Sequence, residues 1–321
     1  MLRIAILDDY QDVALSMADW SLLPKDAKVD RFGDNVKDET KLAERLQPYE
    51  VLIIMRERTL FSRSLIERLP NLKLLITSAG RNAAIDQAAC KDRGITVCGT
   101  DAFGSPTAEL AWGLLLALFK NITVEDRATR EGKWSLGLTQ TLEGRTLGVL
   151  GLGKLGQRLA EVGKAFRMDV IAWSQNLTDE RCAEVGVRRV EKDALFREAD
   201  AISIHLVLSD RSRGLVGARE LGLMKPTAYL VNTSRGPIVD EAALVDALKN
   251  RRIGGAGLDV FDVEPLPADH PLRSMPNTVI TPHLGYGTEE NYRLYFGQAV
   301  ENIVNWLAGK PVKEIAAPRQ P

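Results

Sequence analysis

The sequence predicts an α/β protein whose strands form doubly wound parallel sheets in two domains. Three observations predict it. Short β-branched or apolar runs alternate with helical patterns along nearly the whole chain, the signature of βαβ units. A GxGxxG stretch, Gly151 to Gly156, joins one such strand to an amphipathic helix. About 150 residues precede that stretch, enough for a separate α/β block in a chain of 321 residues.

The first block opens with the strand LRIAIL at residues 2–7. A helical stretch around Glu39 to Leu46 leads to the strand VLIIM at 51–55. LKLLITSAG at 72–80 reads as a strand ending in a small-residue turn, and ITVCG at 95–99 closes the block near Gly99. DAFGSP at 101–106 is a turn-rich connector. Thr107 to Phe119 then forms a long helix, apolar all round, which suits either an interface or simple burial. Six further strands follow: Thr146–Leu150, Val170–Trp173, Ala201–Leu206, Ala228–Asn232, Ala256–Val260 and Thr278–Thr281. With helices between them they match a doubly wound sheet. Tyr292, Tyr295, Phe296, Ala299, Ile303 and Trp306 recur at helical spacing within a last helix, Glu289 to Leu307.

Composition narrows the function classes. A formal net charge of −1 offers nothing to attract nucleic acid or an anionic membrane surface. The apolar run from Leu114 to Phe119 is too short to span a bilayer. Cys90, Cys98 and Cys182 are odd in number and lack CxxC spacing, which argues against a disulfide scaffold or a zinc site. No metal site is expected. MLRIAILDDY starts as a strand and shows no apolar signal segment, so the expected home is the cytoplasm.

Gly151-Leu152-Gly153-Lys154-Leu155-Gly156 is weak evidence by itself, because glycine is common. Its context strengthens it: a strand, Thr146 to Leu150, runs in and a helix, about Leu155 to Phe166, runs out. Gly151 permits the tight turn and Gly153 lets backbone approach a pyrophosphate. Gly156 allows helix and strand to pack closely, and the helix N-terminus faces the anion. A ligand-free glycine turn and an S-adenosylmethionine-binding variant are the other readings of the motif. The next strand should end in an acid that holds the adenosine ribose. Here it ends in Ser174, Gln175 and Asn176, neutral groups that tolerate NAD or NADP alike, and Arg181 is the nearest candidate for a phosphate.

Three charged residues lie two to four residues past apolar strands: Arg235 after YLVNTS, Glu264 after GLDVF and His283 after TVITP. Each has a plain alternative, namely a helix-flanking charge, a solvated loop acid and a structural histidine. Together, at the edge where α/β sheets bind ligands, they make one chemistry. An arginine holds a carboxylate and a carbonyl oxygen. A histidine gives or takes a proton near neutrality. A glutamate beside it sets the tautomer and favours the charged ring. With a nicotinamide as hydride source, the set fits reduction of a 2-oxo acid.

GLGKLG, NTSRG, LDVFDVEP and TPHLG occur in the order and at the spacing of the D-isomer-specific 2-hydroxyacid dehydrogenase family, which the chain resembles over nearly its whole length. The resemblance implies two Rossmann-like or flavodoxin-like domains. Residues 101–285 would be the cofactor domain, inserted into a substrate domain of residues 1–100 and 286–321, with the active site in the cleft. It implies that Arg235 binds and polarises substrate and that His283, paired with Glu264, is the acid/base. Ser78, Ala79, Gly80 and Arg81 match a loop whose backbone amides grip the substrate carboxylate. Leu155 and Gly156 match pyrophosphate contacts and Thr233 a ribose contact, with Lys154 also on the cofactor side. Asp259 matches a residue near the nicotinamide carboxamide, while Thr107, His205, Val207 and Gly285 line the cofactor side. The implied partners are a small 2-oxo or 2-hydroxy acid and a second copy in a homodimer.

Some positions depart from the family pattern. Ser174 stands in place of the usual acid, leaving NAD or NADP open. Arg81-Asn82-Ala83-Ala84 replaces a commoner glycine–aspartate–asparagine pattern, and Arg81 would suit a second anionic group. Val207 stands where many relatives carry proline. Arg56 falls at a position that meets a phosphate in phosphoglycerate-type members, but reads first as a solvated charge. The alternative function is a cofactor-sensing binding protein of the same fold, such as a dehydrogenase-like corepressor; the absence of a basic patch and of interaction tails weighs against it.

Overall fold

The computed structural model describes residues 1–315. The chain divides into two compact units: Met1–Phe103 together with the chain from Thr288 onward, and Gly104–Gly287.

In the first unit, β1 (Arg3–Ile6), β2 (Lys28–Arg31), α1 (Glu39–Leu46), β3 (Val51–Ile54), α2 (Arg63–Glu67), β4 (Leu74–Thr77), α3 (Gln87–Asp92) and β5 (Thr96–Cys98) follow in order. The sheet order is β2-β1-β3-β4-β5, all parallel. β3 and β4 are buried on both faces, as central parallel strands must be, and so read as continuous apolar runs. β2, the sequence KVDR, lies on the edge and is half-exposed. Its hydrophobic signal is too thin to mark it, and the sequence reading missed it, together with the short α2 and α3.

In the second unit, α4 (Ser105–Phe119) and α5 (Ile122–Arg130) precede β6 (Thr146–Leu150), α6 (Lys154–Ala165), β7 (Asp169–Trp173), α7 (Asp179–Val185), β8 (Arg188–Arg189) and α8 (Lys192–Glu198). Then come β9 (Ala201–Ile204), α9 (Ala218–Leu223), β10 (Tyr229–Asn232), α10 (Glu241–Lys249), β11 (Gly255–Leu258) and β12 (Thr278–Ile280). The seven parallel strands run β12-β11-β10-β9-β6-β7-β8. Six strands were expected here. The seventh is β8, two exposed arginines whose pairing to Ile171 and Ala172 no hydrophobic pattern announces. α4 packs against α6 and strands β10 to β12, burying Ala111, Trp112, Leu114, Leu115, Leu118 and Phe119, so burial within the unit accounts for much of its apolar surface.

The last helix, α11 (Glu289–Leu307), belongs to the first unit and buries Tyr292, Tyr295, Phe296, Ala299 and Ile303 there. Among the described residues no single helix is long and apolar enough to cross a membrane, and no cluster of three or more His, Cys, Asp or Glu is placed to hold a metal.

Candidate active site

The sheet order of the second unit arranges the candidate residues along one edge. Strand β6 turns into the glycine loop. Its neighbours, β9 on one side and β7 on the other, run into His205 and Ser174. Beyond β9 lie β10, β11 and β12, which lead to Arg235, Glu264 and His283. The order reverses between β6 and β9, so the loop lies at the topological switch point where such sheets bind ligands. Strands sit about 4.8 Å apart, so β6 to β11 spans roughly 14 Å, a distance an extended dinucleotide can bridge.

The glycines divide by role. Gly151 has φ +106°, and a β-carbon there would stand 2.7 Å from the His205 carbonyl. At Gly156 a β-carbon would collide with the Gly151 carbonyl, so this glycine is what lets α6 start against β6. Gly153 faces open space. It is the N-cap of α6 and no side chain caps that helix, whose first turn is Lys154, Leu155 and Gly156. An uncapped helix N-terminus beside room for a ligand suits an anion such as a pyrophosphate. Two buried polar atoms near this edge, Thr233 Oγ1 and His205 Nδ1, have no hydrogen-bond partner among the described residues. Both would gain one from a polar ligand. These observations fit a dinucleotide.

Other expected cofactor residues are placed as follows. Ser174 is half-buried at the end of β7, with Gln175 and Asn176 exposed beside it. Arg181 Nη2 donates to Gln157 Oε1 at 2.6 Å and its Nη1 to Glu184 at 2.9 Å, so this arginine is already held by neighbours. The His205 ring binds Ser203 Oγ through Nε2 at 2.9 Å, and burial pushes its pKa down to about 4. Val207 is exposed in the loop that follows. Thr107 Oγ1 donates to the Gly285 carbonyl at 2.9 Å.

His283 Nδ1 lies 2.7 Å from Glu264 Oε2. The other oxygen of Glu264 accepts the Phe261 amide at 2.9 Å, so the carboxylate is tied to its own loop before it meets the ring. Burial alone would raise the Glu264 pKa; the hydrogen bond and charge of His283, with the Phe261 amide and the Arg235 charge, outweigh it and hold the carboxyl below its ordinary value. His283 has φ +55° and packs edge-on against Tyr286, ring centroids 5.6 Å apart. Its turn is held by Asp259, whose carboxylate accepts from Thr281 Oγ1 (2.6 Å), Leu284 N (2.7 Å) and Gly285 N (2.8 Å). Burial raises the Asp259 carboxyl against the opposing pull of those donors.

Arg235 is three residues past β10. Asn232 shapes its turn: the side-chain oxygen accepts the Ser234 amide at 3.0 Å and the side-chain nitrogen donates to the Arg235 carbonyl at 2.9 Å. Ser234 Oγ donates to the Ile204 carbonyl at 2.7 Å. Sequence reasoning passed over Asn232 and Thr281, although an asparagine at a strand end is a recognisable turn former.

Ser78 to Arg81 belong to the first unit, at the end of β4. There the amide of Ser78 donates to the Ile54 carbonyl at 3.1 Å and that of Ala79 to Thr100 Oγ1 at 2.8 Å. No partner is found among the described residues for the amides of Gly80 and Arg81, both exposed. Ala79 has φ +68°, a strained conformation for a residue with a β-carbon. Arg56, at the end of β3, is not a freely solvated charge: its side chain is 20% exposed, 3.7 Å from Glu57, and it interacts with the buried Tyr295 hydroxyl.

Comparison with known proteins adds the identity of the group. A family model described as D-isomer specific 2-hydroxyacid dehydrogenase, NAD binding domain, matches residues 112–285. Glyoxylate reductase of Aeropyrum pernix is 39% identical over 272 residues, which cover 80% of this chain and 81% of that protein. D-3-phosphoglycerate dehydrogenase of Methanocaldococcus jannaschii is 33% identical over 98% of this chain, which spans only 59% of that longer protein. The crystal structure of a phosphoglycerate oxidoreductase from Vibrio cholerae O395 matches with a TM-score of 0.91 and 39% identity, over 96% of this chain and all of that one. On this evidence the chain belongs to the D-isomer specific 2-hydroxyacid dehydrogenase family, and is an oxidoreductase that works with a nicotinamide cofactor.

Proposed function

We propose that the chain reduces a small 2-oxo acid to its D-2-hydroxy acid, and runs the reverse oxidation, with His283 as acid/base, Glu264 as its partner and Arg235 holding the substrate. The observation that carries this reading is the 2.7 Å contact between His283 Nδ1 and Glu264 Oε2. A carboxylate on Nδ1 fixes the proton there and leaves Nε2 as the atom that exchanges a proton with substrate oxygen. The reduction needs a proton delivered from that atom to the substrate oxygen. Arg235 supplies a cation for the substrate carboxylate and carbonyl oxygen. Two exposed amides in the first unit, Gly80 and Arg81, have the form of a carboxylate grip; those of Ser78 and Ala79 are spent inside the unit.

Lys154, Leu155 and Gly156 would hold the pyrophosphate, Thr233 a ribose, and Ser174, Gln175 and Asn176 the adenosine end. When bound, the nicotinamide supplies or accepts the hydride. The missing acid at Ser174 and the commitments of Arg181 to Gln157 and Glu184 support use of both NADH and NADPH. A kcat/KM preference above about a hundredfold, roughly 2.7 kcal/mol, for either cofactor overturns that.

A homodimer is part of the reading. Trp134 is 84% exposed and Leu138 97%, Leu136 is exposed between them in the segment after α5, and Ile122 is exposed at the start of α5; a second copy would cover such apolar side chains. Sedimentation at micromolar protein showing only monomer removes this part.

The central test is oxidation of NADH and NADPH with glyoxylate, hydroxypyruvate, its 3-phosphate, phenylpyruvate and 2-ketogluconate, for wild type and His283→Ala. At least one acid should be reduced. The variant should lose about 10²–10⁴-fold in kcat with similar cofactor affinity. Full turnover in the variant excludes His283 from catalysis. Silence of the wild type on every acid, with cofactor bound, favours a binding role.

A further inference from the structure

The chain holds a second histidine–carboxylate pair, which the catalytic reading does not use. His270 Nε2 lies 3.1 Å from Glu241 Oε1. Glu241 is the first residue of α10, where a carboxylate suits the helix dipole anyway. Its oxygens are nevertheless aimed away from the helix. Oε2 accepts the backbone amide of Asp262 at 3.3 Å, and Oε1 meets the His270 ring. On the far side of the ring, Nδ1 accepts the Leu272 amide at 3.4 Å, which leaves Nε2 as the ring nitrogen that meets Glu241.

Asp262 lies in the loop that carries Glu264. The peptide from Phe261 to Asp262 is held on a second side by Gly236, where any β-carbon would run into the Phe261 carbonyl group and stand 2.6 Å from the Asp262 nitrogen. Gly236 directly follows Arg235. This peptide is thus pressed against the Arg235 turn and bonded to Glu241, while the peptide just before it donates the Phe261 amide to Glu264 at 2.9 Å. The other charges acting on Asp262 are Asp240 and Arg213. Neither is placed to bond its amide.

We infer that Glu241 and His270 are positioning residues, which hold the 261–264 loop so that Glu264 meets His283. This deepens the proposed function and rests on it. Glu241 touches neither substrate nor cofactor; it acts by keeping the Asp262 amide, and hence the Glu264 carboxylate, in register with the ring. His270 acts on Glu241 by fixing the rotamer that reaches that amide.

The test uses Glu241→Ala, Glu241→Gln and His270→Asn in the full chain, with His283→Ala run alongside. Each is read by kcat, cofactor Kd, Tm and the pH profile of the reduction rate. Glu241→Ala should lower kcat about tenfold or more, since small misplacements near reacting groups are costly. Its cofactor Kd should stay within about twofold, well under the tenfold that 1.4 kcal/mol represents. The pH profile of the reduction rate should depart from that of wild type, because His283 has a displaced partner. Glu241→Gln keeps one acceptor for the Asp262 amide and should be intermediate. His270→Asn should move kcat and the pH profile in the same direction by less. If Glu241→Ala does not fold, Glu241→Gln and His270→Asn carry the same readouts. A loss of Tm with unchanged kcat and pH profile in the folded variants overturns the inference. Full turnover in His283→Ala overturns instead the functional reading beneath it.

Discussion

Asp259 holds the amide of Gly285 on one carboxylate oxygen at 2.8 Å, while the other oxygen takes the amide of Leu284 and the hydroxyl of Thr281. His283 stands inside the turn so clamped, at φ +55°. A left-handed conformation for a residue with a β-carbon costs of order 1–3 kcal/mol and survives only where its surroundings enforce it. Asp259→Asn must present an NH₂ group to one of these donors, leaving a buried donor unpaired at about 1–3 kcal/mol. Expected are a lower Tm and a kcat reduced about ten- to a hundredfold. If the variant keeps its Tm and only weakens NAD(P)H binding, Asp259 serves the cofactor and not the turn.

The Glu264 carboxyl is held below its ordinary value by His283. A carboxyl whose pKa is lower in the folded than the unfolded chain stabilises the fold above the unfolded value, and that contribution disappears as pH falls through the folded value. The window therefore lies below the ordinary 4.5 of a glutamic acid. Glu264→Gln should be less stable than wild type at pH 7, and the gap should narrow as both are acidified below about 4.5. Its kcat should also fall, because an amide cannot hold the Nδ1 proton of His283 as a carboxylate does. Thermal melts across pH 3 to 7 and a pH–rate profile check both; parallel melting curves would dismiss the pair as a source of stability.

His205 acts in a different window. Its buried ring has a pKa lowered to about 4, against an ordinary 6.5. Between those values the unfolded chain binds a proton that the folded chain refuses, so stability falls as pH drops from 6.5 toward 4. The limiting slope is about 1.4 kcal/mol per pH unit. His205→Asn keeps a polar group near Ser203 but cannot titrate. Its Tm should change less than that of wild type between pH 6.5 and 4.5. An equal slope in both proteins would show that folding does not lower the His205 pKa.

What the sequence discloses follows from how local each constraint is. α1 and α11 end where the hydrophobic pattern ends, because their apolar stripes are written into consecutive turns. The buried strands β3 and β4 stand out as unbroken apolar runs. β8 does not, since two exposed arginines become a strand only because β7 lies beside them. The same division holds at the site. Arg235, Glu264 and His283 are legible as charges following strands. The use of the Ala79 amide by Thr100, 21 residues away, is not, and neither is the reach of Glu241 to the Asp262 amide across 21 positions. Those bonds exist only once separate strands are side by side.

The glycine loop allows fold and ligand to be separated by substitution. At Gly156 a β-carbon would collide with the Gly151 carbonyl inside the protein, so Gly156→Ala forces α6 away from β6. Gly153 has nothing within 4 Å of the same atom and an extended backbone (φ −79°, ψ −162°) that alanine adopts. Gly153→Ala should therefore fold with an unchanged Tm. If the uncapped N-terminus of α6 receives a pyrophosphate, the added methyl occupies the approach of that group, and the NAD(P)H Kd should rise about tenfold or more. Gly156→Ala should lose both stability, by about 1–3 kcal/mol for overpacking, and affinity. Fluorescence titration with NADH beside thermal melts reads the two effects apart. Wild-type affinity in Gly153→Ala would mean that the dinucleotide does not lie over this residue, because the structure leaves the methyl no other neighbour to disturb.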